Sequence, residues 1–297
     1  MMNFQEFTGC IAEEFGNKIS GLVQVVPVTK NNNVTFTGLT VTCEESNISP
    51  TIYLEGYYDA YKQGKNFYEI VAEIHSVYME NKAKKNFDIS GFVEKEKMIK
   101  RLSFKLINYE RNEKLLLDIP HRRFLDMAVA YYYFLETDEH GMGTILIHNH
   151  HMDFWNITED EMFKIAYENY LKLHPAHIES MQELVFALLE ANELGIDESR
   201  AGMEMLVVTN KEKLYGATMM LFPDILKPVS ELLQQDLYII PSSIHEILVL
   251  PQPVMSAEEL RELVREVNRT CVITEEILGE NVYRYFRESN TIEIVLE

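Results

Sequence analysis

Between Met203 and Pro251, apolar runs of strand length and short polar breaks follow one another more densely than anywhere else in the chain. Met203–Thr209 and Leu214–Phe222 are expected to be strands joined by a polar hairpin turn at Asn210–Lys213. Gly216, inside the second run, predicts a bulge or a close backbone approach. Pro223 is expected to open a helix, where a missing N–H costs nothing. In that helix Ile225, Leu226, Val229, Leu232 and Leu233 recur at the spacing of one buried face. Two more strands are expected at Leu237–Ile240 and Ile247–Leu250, closed by Pro241 and Pro251. Together these elements predict a small sheet with a helix on one face.

The rest of the chain alternates between the two periods. Phe4 to about Ile19 predicts an amphipathic helix with Phe4, Phe7, Ile11 and Phe15 on one side. Val23–Thr29 and Val34–Thr42 alternate as strands around the turn Lys30–Asn33. An extended segment at Asn47–Leu54 precedes helices at Tyr57–Gln63 and Asn66–Lys82. A third helix is expected over Ile89–Ile107, then an extended piece at Lys114–Ile119. Pro120–Arg123 should turn the chain into Phe124–Glu136, a strand apolar on both faces and so covered on both. Thr144–Trp155 is expected to return beside it. Thr158 with Glu161, and Ser256 with Glu259, have the spacing of capping boxes that start helices to about Leu173 and Thr270. A further helix is expected at Ser180–Asn192 and a closing hairpin at Val282–Phe286 and Thr291–Leu296.

This pattern predicts an α+β protein of two lobes, each a small, mainly antiparallel sheet packed with helices. The glycine-flanked stretch Gly195–Gly202 places the boundary, giving an N-terminal lobe 1–195 and a C-terminal lobe 196–297. With 46% hydrophobic and 25% charged residues in 297, the chain has the composition of an ordinary globular protein. Its 47 acidic against 27 basic residues give a formal charge of −20. That argues against direct binding to a nucleic-acid backbone and for solubility, the commonest reason for such acidity, a basic protein partner, or mimicry of a nucleic acid's charge. Three widely spaced cysteines, with no CxxC pair, suggest neither a disulfide framework nor structural zinc. The opening MMNFQEFTGCIAEEF has acids where a signal peptide has positive charge. No run approaches the roughly 18 apolar residues of a membrane span, so the expected location is the cytoplasm, without a membrane partner.

Candidate chemistry gathers in Pro241–Glu246, PSSIHE. Ser242 or Ser243 as nucleophile, His245 as base and Glu246 as orienter is one reading, that of a hydrolase. The G-x-S-x-G elbow is absent, and Val249 stands where a zinc-protease helix has its second histidine. The other reading is structural or ligand-binding: the serines satisfy backbone groups at a sharp turn while His245 and Glu246 bond neighbouring strands, or the loop is a recognition surface with the Asn210 turn and Tyr215 beside it. His148 and His150, on one face of an expected strand, offer two metal ligands and would need a third, such as His121 or Asp126. No metal and no cofactor is expected on balance. Arg122 and Arg123 are the one basic patch beside a fixed turn, expected to pair with the chain's own acids.

The stretches VVPVTKNNNVTFTGLTV, NISPTIYLEGYY, FKLINYERNEKLLLDIPHRRFLDMAV, LYGATMML and LYIIPSSIHEILVLP resemble a bacterial family known as a domain of unknown function, number five-six-eight-eight. The block FWNITEDEMFKIAYEN and the final REVNRTCV share that likeness. Trp155–Asn169, with VVTN, LYGA and PSSIHE, is also similar to a second uncharacterised family of like size. Neither resemblance implies an activity, cofactor or catalytic residue. The family pattern includes Ser242, Ser243, His245 and Glu246 and does not require histidine at 148 and 150, which favours the loop over the metal. The expected function is a non-catalytic binding or regulatory module, with Asn210, Tyr215, Ser242, Ser243, His245 and Glu246 at its surface. The alternatives are the hydrolase and an acidic inhibitor that mimics nucleic acid.

Overall fold

The structure, a computed structural model, describes residues 1–44, 47, 49–82, 88–137, 141–180, 205–251 and 256–296. The expected helix at Ser180–Asn192, the boundary stretch 195–202 and His140 lie outside the described residues, apart from Ser180 itself. The fold is α+β, and it divides into two compact units, Met1–Gly91 and Phe92–Glu297. Strand β8, Ala176–Ser180, precedes the boundary expected at 195/196, and β9, Leu206–Asn210, follows it. The two pair antiparallel in one sheet.

The first unit follows its local signals closely. Its opening helix, Phe4–Gly16, is fixed by a capping box, Asn3 Oδ1 accepting from the Glu6 amide at 2.9 Å and Glu6 Oε2 from the Asn3 amide at 2.9 Å. Three turns of that helix bury Phe7, Ile11 and Phe15. They join Ile70, Val71, Ile74 and Tyr78 of the helix Phe67–Asn81, which Asn66 caps. Leu39 and Val41 of β2, Thr35–Thr42, close the same core. Each large side chain so buried contributes on the order of 1.5–3 kcal/mol. β2 pairs with β1, Leu22–Thr29, in unbroken antiparallel register from Leu22↔Thr42 to Thr29↔Thr35, and β3, Ile52–Tyr53, adds at its other edge.

The second unit holds two sheets. In the four-stranded one, β6, Met127–Thr137, pairs with β4, Leu102–Asn108, with β5, His121–Phe124, and with β7, Gly141–Leu146. The six-stranded sheet has the order β13-β12-β10-β11-β9-β8 and is antiparallel throughout. Here β10 is Leu237–Ser243, β11 Glu246–Leu250, β12 Tyr283–Phe286 and β13 Thr291–Ile294. The helix Glu159–Leu173 starts on the expected Thr158–Glu161 capping box, and Ala257–Thr270 on Ser256–Glu259. The closing hairpin is β12–β13, as the alternation predicts.

Several expectations are overturned here. The helix expected over Ile89–Ile107 is two single turns, Ser90–Val93 and Lys95–Met98, followed by β4. Leu102, Ser103, Phe104, Leu106 and Ile107 are all buried, so β4 is covered on both faces, and such a run shows neither period clearly. Lys114–Ile119 is not extended, because Glu113–Leu116 forms a helical turn. His121–Arg123 belongs to strand β5, and the turn comes after that strand, at Leu125 with φ +56°. Of the expected return strand Thr144–Trp155 only Thr144–Leu146 is strand, as the end of β7. Asn149–Trp155 is helix, ended by Asn156 in the left-handed region.

Leu214–Phe222 is not a strand either. Gly216–Leu221 winds as a 3₁₀-helix under the β10–β11 hairpin, and the Leu106 amide donates to Thr218 Oγ1 at 3.2 Å. The close approach predicted at Gly216 is real: a Cβ there would lie 2.1 Å from Thr209 Oγ1 and 2.5 Å from the His245 carbonyl oxygen. Pro241 does not close its strand. It pairs with Ile247 inside the β10–β11 ladder, and the register shifts between Pro241 and Ser243.

Candidate functional site

The PSSIHE segment forms the end of the β10–β11 hairpin, with Ile244 and His245 at the turn between Ser243 and Glu246. Apolar strands on both sides and a bulge at the end leave this tip to be held by other elements. Thr209 Oγ1 of β9 donates to the His245 carbonyl at 2.7 Å. The Ala217 amide of the 3₁₀-helix donates to the Ile244 carbonyl at 3.4 Å, and the Ile244 amide to the Glu276 carbonyl at 2.9 Å. Ile244 itself is buried and acts as the apolar peg of the turn. Ser242, Ser243, His245 and Glu246 are each half-buried.

The side chains do not assemble as a nucleophile, base and orienter. Ser242 Oγ donates to Glu246 Oε1 at 3.2 Å, and Ser243 Oγ accepts the His245 amide at 3.0 Å. His245 Nδ1 accepts the Tyr215 backbone N–H at 3.2 Å, while Nε2 lies 3.5 Å from Glu276 Oε1. An imidazole that accepts at Nδ1 carries its proton at Nε2 when neutral, so the proton points at a carboxylate rather than at a serine. Neither serine bonds the ring.

Tyr215 is the centre of the site. Its backbone is left-handed, φ +56°, a rare conformation for a residue with a bulky side chain. Its ring stacks on His245 at 5.7 Å and 11° between planes, and lies 5.4 Å from the Tyr132 ring. The Lys105 ammonium sits 4.3 Å from the ring centroid, a cation–π contact, and makes no ion pair among the described residues. The Tyr170 hydroxyl donates to the Tyr215 carbonyl at 3.2 Å. Asn210 is fully buried and closes its own loop: Nδ2 donates to the Leu214 carbonyl at 2.7 Å and Oδ1 accepts the Leu214 amide at 3.0 Å. Asn210 therefore shapes the approach to Tyr215 from below.

Under Tyr215 lies a polar chain. The Tyr132 hydroxyl is 2.9 Å from His174 Nε2, and His174 Nδ1 is 3.5 Å from Glu212 Oε2. His174 is wholly buried, and among the described residues neither its Nδ1 nor Glu212 Oε2 has a partner in hydrogen-bond geometry. Burial pushes the His174 imidazole below its ordinary value, against the pull of Glu212, and pushes the Tyr132 phenol well up. Sequence reasoning missed Lys105, Tyr132, His174, Glu212 and Glu276. They come from five separate places in the chain, and only the fold links them, Lys105 and Tyr132 to Tyr215, His174 and Glu212 to Tyr132 in turn, and Glu276 to His245.

The other candidates are committed elsewhere. His148 and His150 do not share a strand face: His148 precedes the helix Asn149–Trp155, and His150 lies in it. His148 Nδ1 bonds Asp118 Oδ2 at 2.7 Å, and the His148 amide donates to His151 Nδ1 at 2.9 Å. His121 Nδ1 faces the Ile119 carbonyl at 3.0 Å, while Asp126 accepts from Tyr283 at 2.7 Å and from Asn281 at 2.9 Å. Among the described residues no three His, Cys, Asp or Glu are grouped to hold a metal ion. Arg122 forks onto Glu159 at 3.1 and 2.7 Å, also reaches Asp160, and shares Glu159 with the Tyr131 hydroxyl. Arg123 bonds the Leu125 carbonyl at 3.1 Å and lies over the Tyr109 ring.

Among the described residues no helix is long and apolar enough to cross a membrane. No curated protein and no solved structure matches the chain. A family model, described as a family of unknown function (DUF5688), matches residues 4–287. That match spans both compact units and every residue of the site, and the chain belongs to this family.

Proposed function

We propose that the protein is a binding module that works without catalysis, and that the β10–β11 tip with Tyr215 recognises a basic segment of a protein partner. The observation that carries this reading is the commitment of His245 to the Tyr215 amide and to Glu276, away from both serines. The imidazole then serves to hold an aromatic ring in place, and a ring fixed in advance loses little freedom on contact. Glu276 lies 3.5 Å from the imidazole and Glu246 follows His245 in the chain, both half-exposed, in a chain of formal charge −20. Such a surface attracts lysine and arginine side chains and speeds their encounter.

The test is fluorescence anisotropy of the full chain against labelled peptides matched in length, one set rich in lysine and arginine and one rich in acids. Saturable binding of basic peptides, lost on Tyr215→Ala and weakened in Glu246→Gln/Glu276→Gln, is the expected result. Equal binding by the double variant, or no preference for basic peptides, defeats the proposal. A serine-reactive phosphonate is expected to leave Ser242 and Ser243 unlabelled, and labelling of either would reinstate the hydrolase.

A further inference from the structure

A groove of about 510 Å³ opens at the other end of β10 from the hairpin tip. Six residue steps separate Leu237 from Ser243, so at roughly 3.3 Å per step the two sites lie about 20 Å apart along the strand. The groove is lined by Gln234, Asp236, Tyr238, Arg284, Phe286 and Arg287, among others. Its volume falls in the range of about 300–1,000 Å³ typical of small-molecule sites.

The lining has a specific construction. Tyr238 and Arg284 are register partners on β10 and β12, and Phe286 follows Arg284 by two residues on the same strand face. The Arg284 guanidinium lies 5.7 Å from the Tyr238 ring and 4.9 Å from the Phe286 ring. Asp236 Oδ2 accepts from its Nε at 3.1 Å and its Nη2 at 2.7 Å. Asp236 Oδ1 accepts the Arg287 amide at 2.9 Å, and Arg287 Nη1 donates to Gln234 Oε1 at 2.7 Å. The Arg287 amide and the Arg284 guanidinium hold the Asp236 carboxyl below the usual carboxylate range, so the clamp stays charged. Nη1 of Arg284 and Nε and Nη2 of Arg287 make no hydrogen bond among the described residues. Two guanidiniums thus share one groove with unused donors, one of them fixed by a carboxylate and two ring faces.

We propose that this groove binds a small oxyanion, a carboxylate or a phosphate, through Arg284 and Arg287, with Tyr238 and Phe286 beside its apolar body. Guanidinium forks match the paired oxygens of such groups, and a fork already held by Asp236 has little ordering left to do. The idea is independent of the hairpin surface and stands if that reading fails.

The probes are sodium benzoate, inorganic phosphate and neutral benzamide, each titrated into the full chain and followed by amide NMR shifts. Saturable binding of benzoate or phosphate is expected, with shifts centred on residues 234–238 and 284–287. Preference for benzoate identifies a carboxylate with a flat body, and preference for phosphate identifies the oxyanion alone. Arg287→Gln removes one donor fork at the groove's rim, and affinity should fall about tenfold. Phe286→Leu should weaken benzoate more than phosphate. Arg284→Lys tests the floor, with circular dichroism reporting whether the fold persists. Failure of both anions to saturate overturns the proposal, as does benzamide binding as well as benzoate, or an Arg287→Gln chain that binds like the parent.

Discussion

Two hairpins with polar ends, one in each compact unit, are built in opposite ways. Between β1 and β2 the chain turns through Asn31–Asn33, with Asn32 and Asn33 both left-handed and the register unbroken up to Thr29↔Thr35. Asparagine tolerates that conformation without a glycine, so the residue type itself suits the turn. Between β10 and β11 the register shifts, a proline sits in the ladder, and the turn is held by Thr209, Ala217, Tyr215 and Glu276. A polar turn between apolar strands reads the same in both places. What separates a connector from a candidate site is the number of distant elements that grip it.

The sharpest test of that contrast is a methyl group. At Gly216 the added Cβ of Gly216→Ala meets the His245 carbonyl at 2.5 Å and the Asn210 backbone nitrogen at 2.8 Å, neither of which yields easily. Thermal or urea unfolding should show a loss of about 3 kcal/mol, the upper end of overpacking costs. At Gly38, on β2, the nearest atoms are the ends of Thr51 and Val28 side chains, at 2.5 and 2.9 Å. Gly38→Ala should cost about 1 kcal/mol. Equal costs would break the distinction between the two hairpins.

Acid should act next, and on one side only. His174 is depressed from an ordinary value of 6.5, so the folded chain holds it neutral while the unfolded chain takes the proton. Its neutral form stabilises the fold above that value, and the advantage drains away as pH falls below it. Urea midpoints measured between pH 7.5 and about 5 should drop, and His174→Gln should flatten that slope while lowering stability at neutral pH. A parallel slope in the variant would remove His174 from the polar chain under Tyr215.

Thr209→Val keeps the shape of β9 but deletes the donor to the His245 carbonyl, which should cost about 1 kcal/mol by urea unfolding. The tip would loosen, seen as faster amide exchange at residues 244 and 245. The smallest effect belongs to the first hairpin. Asn33 is exposed at φ +57°, and Asn33→Gly should change stability by no more than about 0.5 kcal/mol. A larger loss would mean that this turn, too, is gripped.

Elements with their own punctuation could be read from the chain alone. The capping boxes at Thr158 and Ser256, the Asn31–Asn33 turn and the apolar stripe of Phe7, Ile11 and Phe15 all act within a few residues of themselves. β4 could not be read, because a strand buried on both faces loses the alternation that marks strands. Nor could the 3₁₀ turn at Gly216–Leu221, whose conformation answers to the hairpin packed on it. The site was half legible. Ser242–Glu246 stood out because its chemistry is contiguous, whereas Lys105, Tyr132 and Glu276 are ordinary residues until folding makes them neighbours of Tyr215 or His245, and His174 until it meets Tyr132.

Pro241 has one more consequence. β12 pairs with β10 only from Leu237 to Ile239, and beyond that point the buried Pro241 lies beside the segment 276–279, whose Glu276 carbonyl takes the Ile244 amide. A strand edge whose ladder partner has ended is left with N–H groups to satisfy. A proline at that place has no N–H to leave stranded, so the ladder can stop there at no loss.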